Sequence, residues 1–250
     1  MSIKEIRDEL AGIYRRFFPK KIVLGRTACL GLDIFKYKNR KRKDICIVNQ
    51  QKARIDLLLE WLAGVKRPKA SLIEKHMARK DVFIMIQQQE RLPWLDADRK
   101  IEYMIMDSFS ELTDQRFVHK KEGWAFACHY SDIEHTPDFE ADFECKGLLD
   151  LKGLEVLYNN FFDWFQDTYP GRKIYYFHFP TKTEKRQEFR QRAKKILDIM
   201  EGISKRKDIV NIEIDEKYVI PSETDNFPYH YGSTTYEKFV EKLNDLEKLK

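Results

Sequence analysis

Apolar residues recur every three or four positions over Ile3 to Phe17 (Ile3, Ile6, Leu10, Ile13, Tyr14, Phe17), the period of an amphipathic helix that Pro19 brings to an end. Over Lys20 to Gly25 the pattern changes to the unbroken branched run Ile22, Val23, Leu24, as expected of a first strand covered on both faces and turning at Gly25. The same alternation of strand-like and helix-like segments then continues along the chain. Asp33 to Lys38 reads as a short helix, Ile45 to Val48 as a second strand, and Ala53 to Ala63 as a helix stopped by Gly64. Ser71 to Met77 reads as helical, whereas Val82 to Gln88 fits either period.

Ile101 to Asp107 predicts a third strand ending on a carboxylate, and Ser108 to Cys145 is long, aromatic and without clear period. Segments of that length in a compact domain are more often functional than idle. Leu148 to Tyr169 places Leu154, Leu157, Tyr158, Phe161, Phe162 and Phe165 on one stripe, a helix packed on the core and closed by Pro170-Gly171. Lys173 to Phe179 is a fourth strand, Lys185 to Met200 a helix, and Ile209 to Ile214 a fifth strand. Thr235 to Leu249 closes the chain as a helix, with Thr234 and Glu237 spaced as a capping box.

Five strands separated by helices predict a single domain over residues 1–250, a three-layer α/β/α sandwich around a five-stranded, mainly parallel sheet. The common order 2-1-3-4-5 puts the topological switch between the first and third strands. Ligands in such sheets bind at the carboxyl edge, so Gly25, Arg26 and Thr27 should face Asp107, Ser108 and Glu111 across a crevice. His178, after the fourth strand, and the segment Glu223 to His230 should reach the same edge.

Composition narrows this reading only in part. With 42% hydrophobic and 35% charged residues in 250, the chain fits a soluble protein with a sizeable core and no membrane span. The opening MSIKEIRDEL carries acids and no apolar stretch, so a cytoplasmic location is expected. A net charge of +5 argues against a dedicated nucleic-acid binder. The basic run Lys36 to Lys43, six cations in eight residues, is either a solvated loop or a weak contact for phosphate or an anionic membrane. Cys29, Cys46, Cys128 and Cys145 are too scattered for a disulfide framework or a metal site, and neither a metal nor an organic cofactor is expected.

Three stretches, GRTACLGLDIF, YMIMDSFSELTDQRF and FPYHYGSTTYEKF, resemble the SGNH (GDSL-like) hydrolase and acyltransferase superfamily. More narrowly, they resemble a bacterial group of that superfamily associated with surface-polysaccharide genes. The resemblance implies a flavodoxin-like α/β/α sandwich and an acyl-transfer site. Thr27 or Cys29 would be the nucleophile, His230 the base, Asp225 or Glu223 the acid that orients it, and backbone N–H groups after Gly25 the oxyanion donors. Arg26, Asp107, Ser108, Glu111, His178 and Lys182 would contact substrate, an acylated or glycan precursor, with Lys185 and Arg186 near its phosphate. The chain departs from the superfamily in carrying Thr27 where a serine is usual, in spacing Asp225 five residues from His230, and in lacking a GxND segment. A second reading is therefore a catalytically silent binding or scaffold protein of a glycan-assembly system. The absence of GxGxxG and GxxxxGK[ST] loops weighs against a nucleotide-dependent transferase.

Overall fold

The computed structural model of the chain describes residues 21–42, 44–96, 101–205, 209–224 and 227–248. The helix expected over Ile3 to Phe17 lies outside them. The main sheet contains β1 (Lys21–Arg26), β2 (Ile45–Asn49), β3 (Ile101–Asp107), β7 (Ile174–Phe177) and β8 (Ile209–Ile212), in the order β2-β1-β3-β7-β8. Every pairing in it is parallel. Counting only these strands, the order is the expected 2-1-3-4-5, with the switch between β1 and β3.

Helices cover both faces. On one, α1 (Cys29–Asn39) packs against α9 (Ser233–Lys248); on the other, α2 (Ile55–Leu62) and α8 (Gln187–Ser204) pack against α7 (Leu154–Thr168). The aromatic stripe of α7 buries Tyr158, Phe161, Phe162 and Phe165, and Gly171 beyond it adopts φ 72°. Gly64, at φ 85°, follows α2 in the left-handed conformation that lets a chain leave a helix. The ambiguous 82–88 stretch is helical, in α4 (Phe83–Arg91), and α3 (Ala70–Ile73) precedes it as a single turn. Several expected boundaries move. The helix read over Asp33 to Lys38 spans Cys29–Asn39, and α9 starts at Ser233, which places Thr234 inside its first turn instead of capping it.

The larger difference lies in the segment read as irregular. Residues 109–148 fold into α5 (Phe109–Thr113), β4 (Asp114–His119), β5 (Ala125–His129), α6 (Pro137–Asp142) and β6 (Phe143–Leu148), with the strands forming a separate antiparallel sheet ordered β5-β4-β6. This sheet closes a second hydrophobic core, with Phe117, Phe126, Phe139 and Phe143 packed beside Ile73 and Ile86. Its strands run five or six residues, and β4 breaks register between Arg116 and Phe117, so no clean period-2 signal reaches the sequence. The two cores meet at the carboxyl edge of β1 and β2.

Candidate functional site

At that edge the chain leaves β1 under tight constraint. A Cβ on Gly25 would stand 2.5 Å from Asn49 Oδ1 and 2.7 Å from Ile47 Cδ1. Glycine is therefore needed for the close approach of Asn49, and the strand continues through it to Arg26 rather than turning there. The admitted Asn49 amide holds the next turn: its Oδ1 accepts the Thr27 N–H and hydroxyl, each at 3.1 Å, and its Nδ2 donates to the Thr27 carbonyl at 3.0 Å. Thr27 is only 2% exposed. The hydroxyl of Thr27, one of the two expected nucleophiles, is thus buried and hydrogen-bonded to Asn49.

Asp107, arriving at the end of β3, fills the place expected for an oxyanion. Its Oδ2 accepts the N–H groups of Ala28 at 2.8 Å and Gly31 at 3.2 Å, and its Oδ1 accepts that of Phe109 at 3.2 Å. A carboxylate at a helix start is favourable both as acceptor and by the helix dipole. Burial pushes its pKa up to about 7 against the lowering effect of these N–H donors. Asp107, expected as a substrate contact, is thus a buried cap of α1. Cys29, one residue into the turn, donates its thiol to the Tyr229 carbonyl at 3.6 Å. Burial, followed by the negative charges of Asp107 and Asp33, pushes this thiol up to about 12, far from the thiolate that nucleophilic chemistry needs.

Arg26 and Glu111, expected to bind substrate, are instead ion-paired in the interior. Arg26 also donates through Nε to the Ala53 carbonyl at 2.6 Å, and Glu111 accepts the Ile55 N–H at 2.9 Å and the Tyr158 hydroxyl at 3.0 Å. Burial would lower the Arg26 pKa, but the facing Glu111 raises it overall. Ser108 Oγ accepts the Phe179 N–H at 3.3 Å. His178 is buried, its ring nitrogen 3.3 Å from Asn211 Oδ1, and burial pushes its pKa down to about 4. Lys182 binds the Glu216 and Val219 carbonyls, both at 3.1 Å, and Arg186 pairs with Glu184 at 2.8 Å. In the basic run, Lys36, Lys38 and Arg42 pair with Asp33, Glu247 and Asp44, while Lys43 lies outside the described residues.

Two openings adjoin these residues: one of about 280 Å³ is lined by Ser108 and His178 with Phe179 and Arg190, and a cleft of about 170 Å³, where the two cores meet, is lined by Cys29 and His230 together with Gln51, Lys52, Arg79, Phe109, His129, Asp132 and Phe227. The structure therefore brings Cys29 and His230 to one cavity and leaves the other expected site residues out of its lining. His230 sits on a loop closed by the Pro221–Tyr231 bridge, its N–H donating to the Phe227 carbonyl at 3.1 Å and its ring 4.8 Å from that of Phe227. Glu223 is exposed and Asp225 lies outside the described residues.

Sequence reasoning missed the charges that dominate this cleft. Lys52, at φ 50°, is a non-glycine residue in the left-handed region, a conformation that costs energy and clusters at functional sites. Its Nζ lies 2.9 Å from Asp132 Oδ2 and 3.3 Å from Asp114 Oδ1. Burial alone would depress the Lys52 pKa, yet the two facing carboxylates raise it overall. Asp132 Oδ2 also accepts the His129 N–H at 3.0 Å, and burial lowers the His129 pKa. One signal was available: Gln50 to Ala53 follows the second strand just as Arg26 to Cys29 follows the first, and so reaches the same edge. Among the described residues no group of three or more His, Cys, Asp or Glu side chains could hold a metal, and no helix is long and apolar enough to cross a membrane.

No family model matches the chain, and neither does any curated protein. Among solved structures it is similar to a Bacteroides ovatus protein assigned as a GDSL-like lipase, at 12% identity and a TM-score of 0.46 over 92% of this chain and 52% of that one. The chain thus spans about half the length of the structure it matches. At this level the likeness carries no argument, and the α/β/α assignment rests on the strand order and helix layers described above.

Proposed function

We propose that this protein holds a small ligand non-covalently in the 170 Å³ cleft, as a catalytically silent member of the SGNH-like type serving glycan assembly. The observation that carries this reading is the Asp107 carboxylate bound to the N–H groups of Ala28 and Gly31. Acyl transfer needs such donors free to stabilise a developing oxyanion, an effect worth roughly 10²–10³ in rate for one donor. Here they are already occupied by the Asp107 carboxyl oxygen. The Thr27 hydroxyl and the protonated Cys29 thiol point to the same conclusion.

A second reading, an ester hydrolase or O-acyltransferase acting on a surface-polysaccharide precursor, is favoured by one observation: Cys29 and His230 line the same cleft. In that reaction His230 would take the thiol proton, the sulfur would attack the ester carbonyl, and the proton would pass to the departing alcohol before water or an acceptor hydroxyl released the acyl group. The two readings are separated by assaying aryl esters and acetylated sugars with wild type, Cys29→Ala and His230→Ala, each checked by thermal melting. The binding reading expects no turnover above the background rate in any of the three. Turnover that drops by about 10²–10⁴ in His230→Ala at an unchanged melting temperature would overturn it.

A further inference from the structure

Resting on the non-covalent reading above, the charges around the cleft identify what it accepts. Lys52 faces two carboxylates, Asp114 and Asp132, while Arg79 approaches Asp132 and is shared with the exposed Asp81 at 2.7 Å. Two cations thus meet three carboxylates, and a phosphate or carboxylate on the ligand would find no free cation and add a negative charge without a counterpart. A neutral ligand adds none.

Paired charges still leave specific bonding capacity. Asp132 is 1% exposed, lines the cleft, and its Oδ1 has no hydrogen-bond partner, with Arg79 Nη1 beyond reach at 3.7 Å. A buried acceptor left empty is costly, so such atoms are ordinarily satisfied. The Lys52 ammonium carries three donors, of which two point to Asp114 and Asp132. The site thus offers an acceptor and a donor side by side. Adjacent hydroxyls on one ligand, each both donor and acceptor, answer that pair, one donating to Asp132 Oδ1 and its neighbour accepting from Lys52 Nζ. The Phe109 and Phe227 rings, 6.3 Å apart and tilted by 56°, supply the apolar surface against which C–H groups pack. About 170 Å³ holds roughly six waters at about 30 Å³ each, enough for one sugar ring and too little for a nucleotide.

We infer that the cleft binds a single neutral sugar ring, gripped through two adjacent hydroxyls by Asp132 and Lys52. The ring belongs either to a free monosaccharide or to the end of a longer glycan.

The test is a titration of the full chain, by calorimetry and saturation-transfer NMR, with neutral hexoses and deoxyhexoses, their methyl glycosides, and the matching hexose phosphate, uronate and amino sugar. The expected result is binding of a neutral ring, with the phosphate and uronate forms at least about tenfold weaker. A methyl glycoside that binds as well as the free sugar assigns the ring to a glycan end; one that does not assigns it to a monosaccharide. Asp132→Asn should lower affinity at least about tenfold. Because that change touches a buried ion pair, Phe227→Ala, at an exposed ring, supplies the second variant and should weaken the same ligand. Arg79→Gln should shift preference toward the amino sugar, since it leaves a carboxylate unmatched. A phosphate or uronate that binds more tightly than its neutral parent, or the failure of every neutral ring to bind, overturns the inference while leaving non-covalent binding untouched. Hydrolysis of the acetylated sugars by wild type that His230→Ala loses would instead remove the reading beneath it.

Discussion

Asp107 combines a position that the sequence shows with partners that it does not. Its position at the end of the third strand was legible, because IEYMIMD is a plain strand that stops at a carboxylate. Its partners were not, since the N–H groups it accepts belong to a helix start 79 residues away in the chain. The same holds for Gly25, where the sequence suggests a turn and the structure shows a close approach by Asn49 that only three-dimensional packing reveals. The Asp107 pKa, about 7 against an ordinary 3.8, has a defined consequence for stability. The folded protein binds this proton more tightly than the unfolded chain does. The stability contributed by Asp107 is therefore fully present below about pH 4 and is lost as pH rises to about 7. Urea unfolding of wild type and Asp107→Asn across that range should show wild type losing ground to the variant as pH rises. The opposite slope would mean that the N–H donors keep the carboxylate ionised throughout.

Among the elements, the five parallel strands and most helices were readable because each has a strong local period, whereas β4, β5 and β6 do not. Their stability comes from partners that are remote in the sequence. Gln89, in a run of three glutamines that carries no periodic signal, is the clearest case. Fully buried on α4, it donates to the Ala127 carbonyl at 2.6 Å and accepts the Ala127 N–H at 3.0 Å, and so serves as the missing neighbour of edge strand β5. Gln89→Leu, close in volume, would strip both bonds and leave two buried backbone groups unsatisfied. A loss of about 1–3 kcal/mol per group is expected in denaturant unfolding, together with faster amide hydrogen exchange at Ala127. Unchanged exchange there would show that α4 does not hold this edge.

At the scale of the whole molecule, the Lys52 ammonium joins the loop after β2, in the main core, to Asp114 and Asp132, which belong to the second sheet and its connections. Lys52→Met would leave two buried carboxylates facing each other. It should cost about 3–5 kcal/mol by denaturant titration, with part regained non-additively when Asp114→Asn is added. A cost below about 1 kcal/mol would show that the two cores are held together by packing alone. The strand order has a consequence of another kind. By setting β3 beside β1, it delivers Asp107 to the start of α1 as a tethered acceptor. A tethered group acts at an effective concentration that a dissolved one must match before displacing it. A free carboxylate or phosphate competes at the start of α1 against a rival that cannot diffuse away. Approach from the side of Lys52 meets the same obstacle, because Asp114 and Asp132 already face that ammonium.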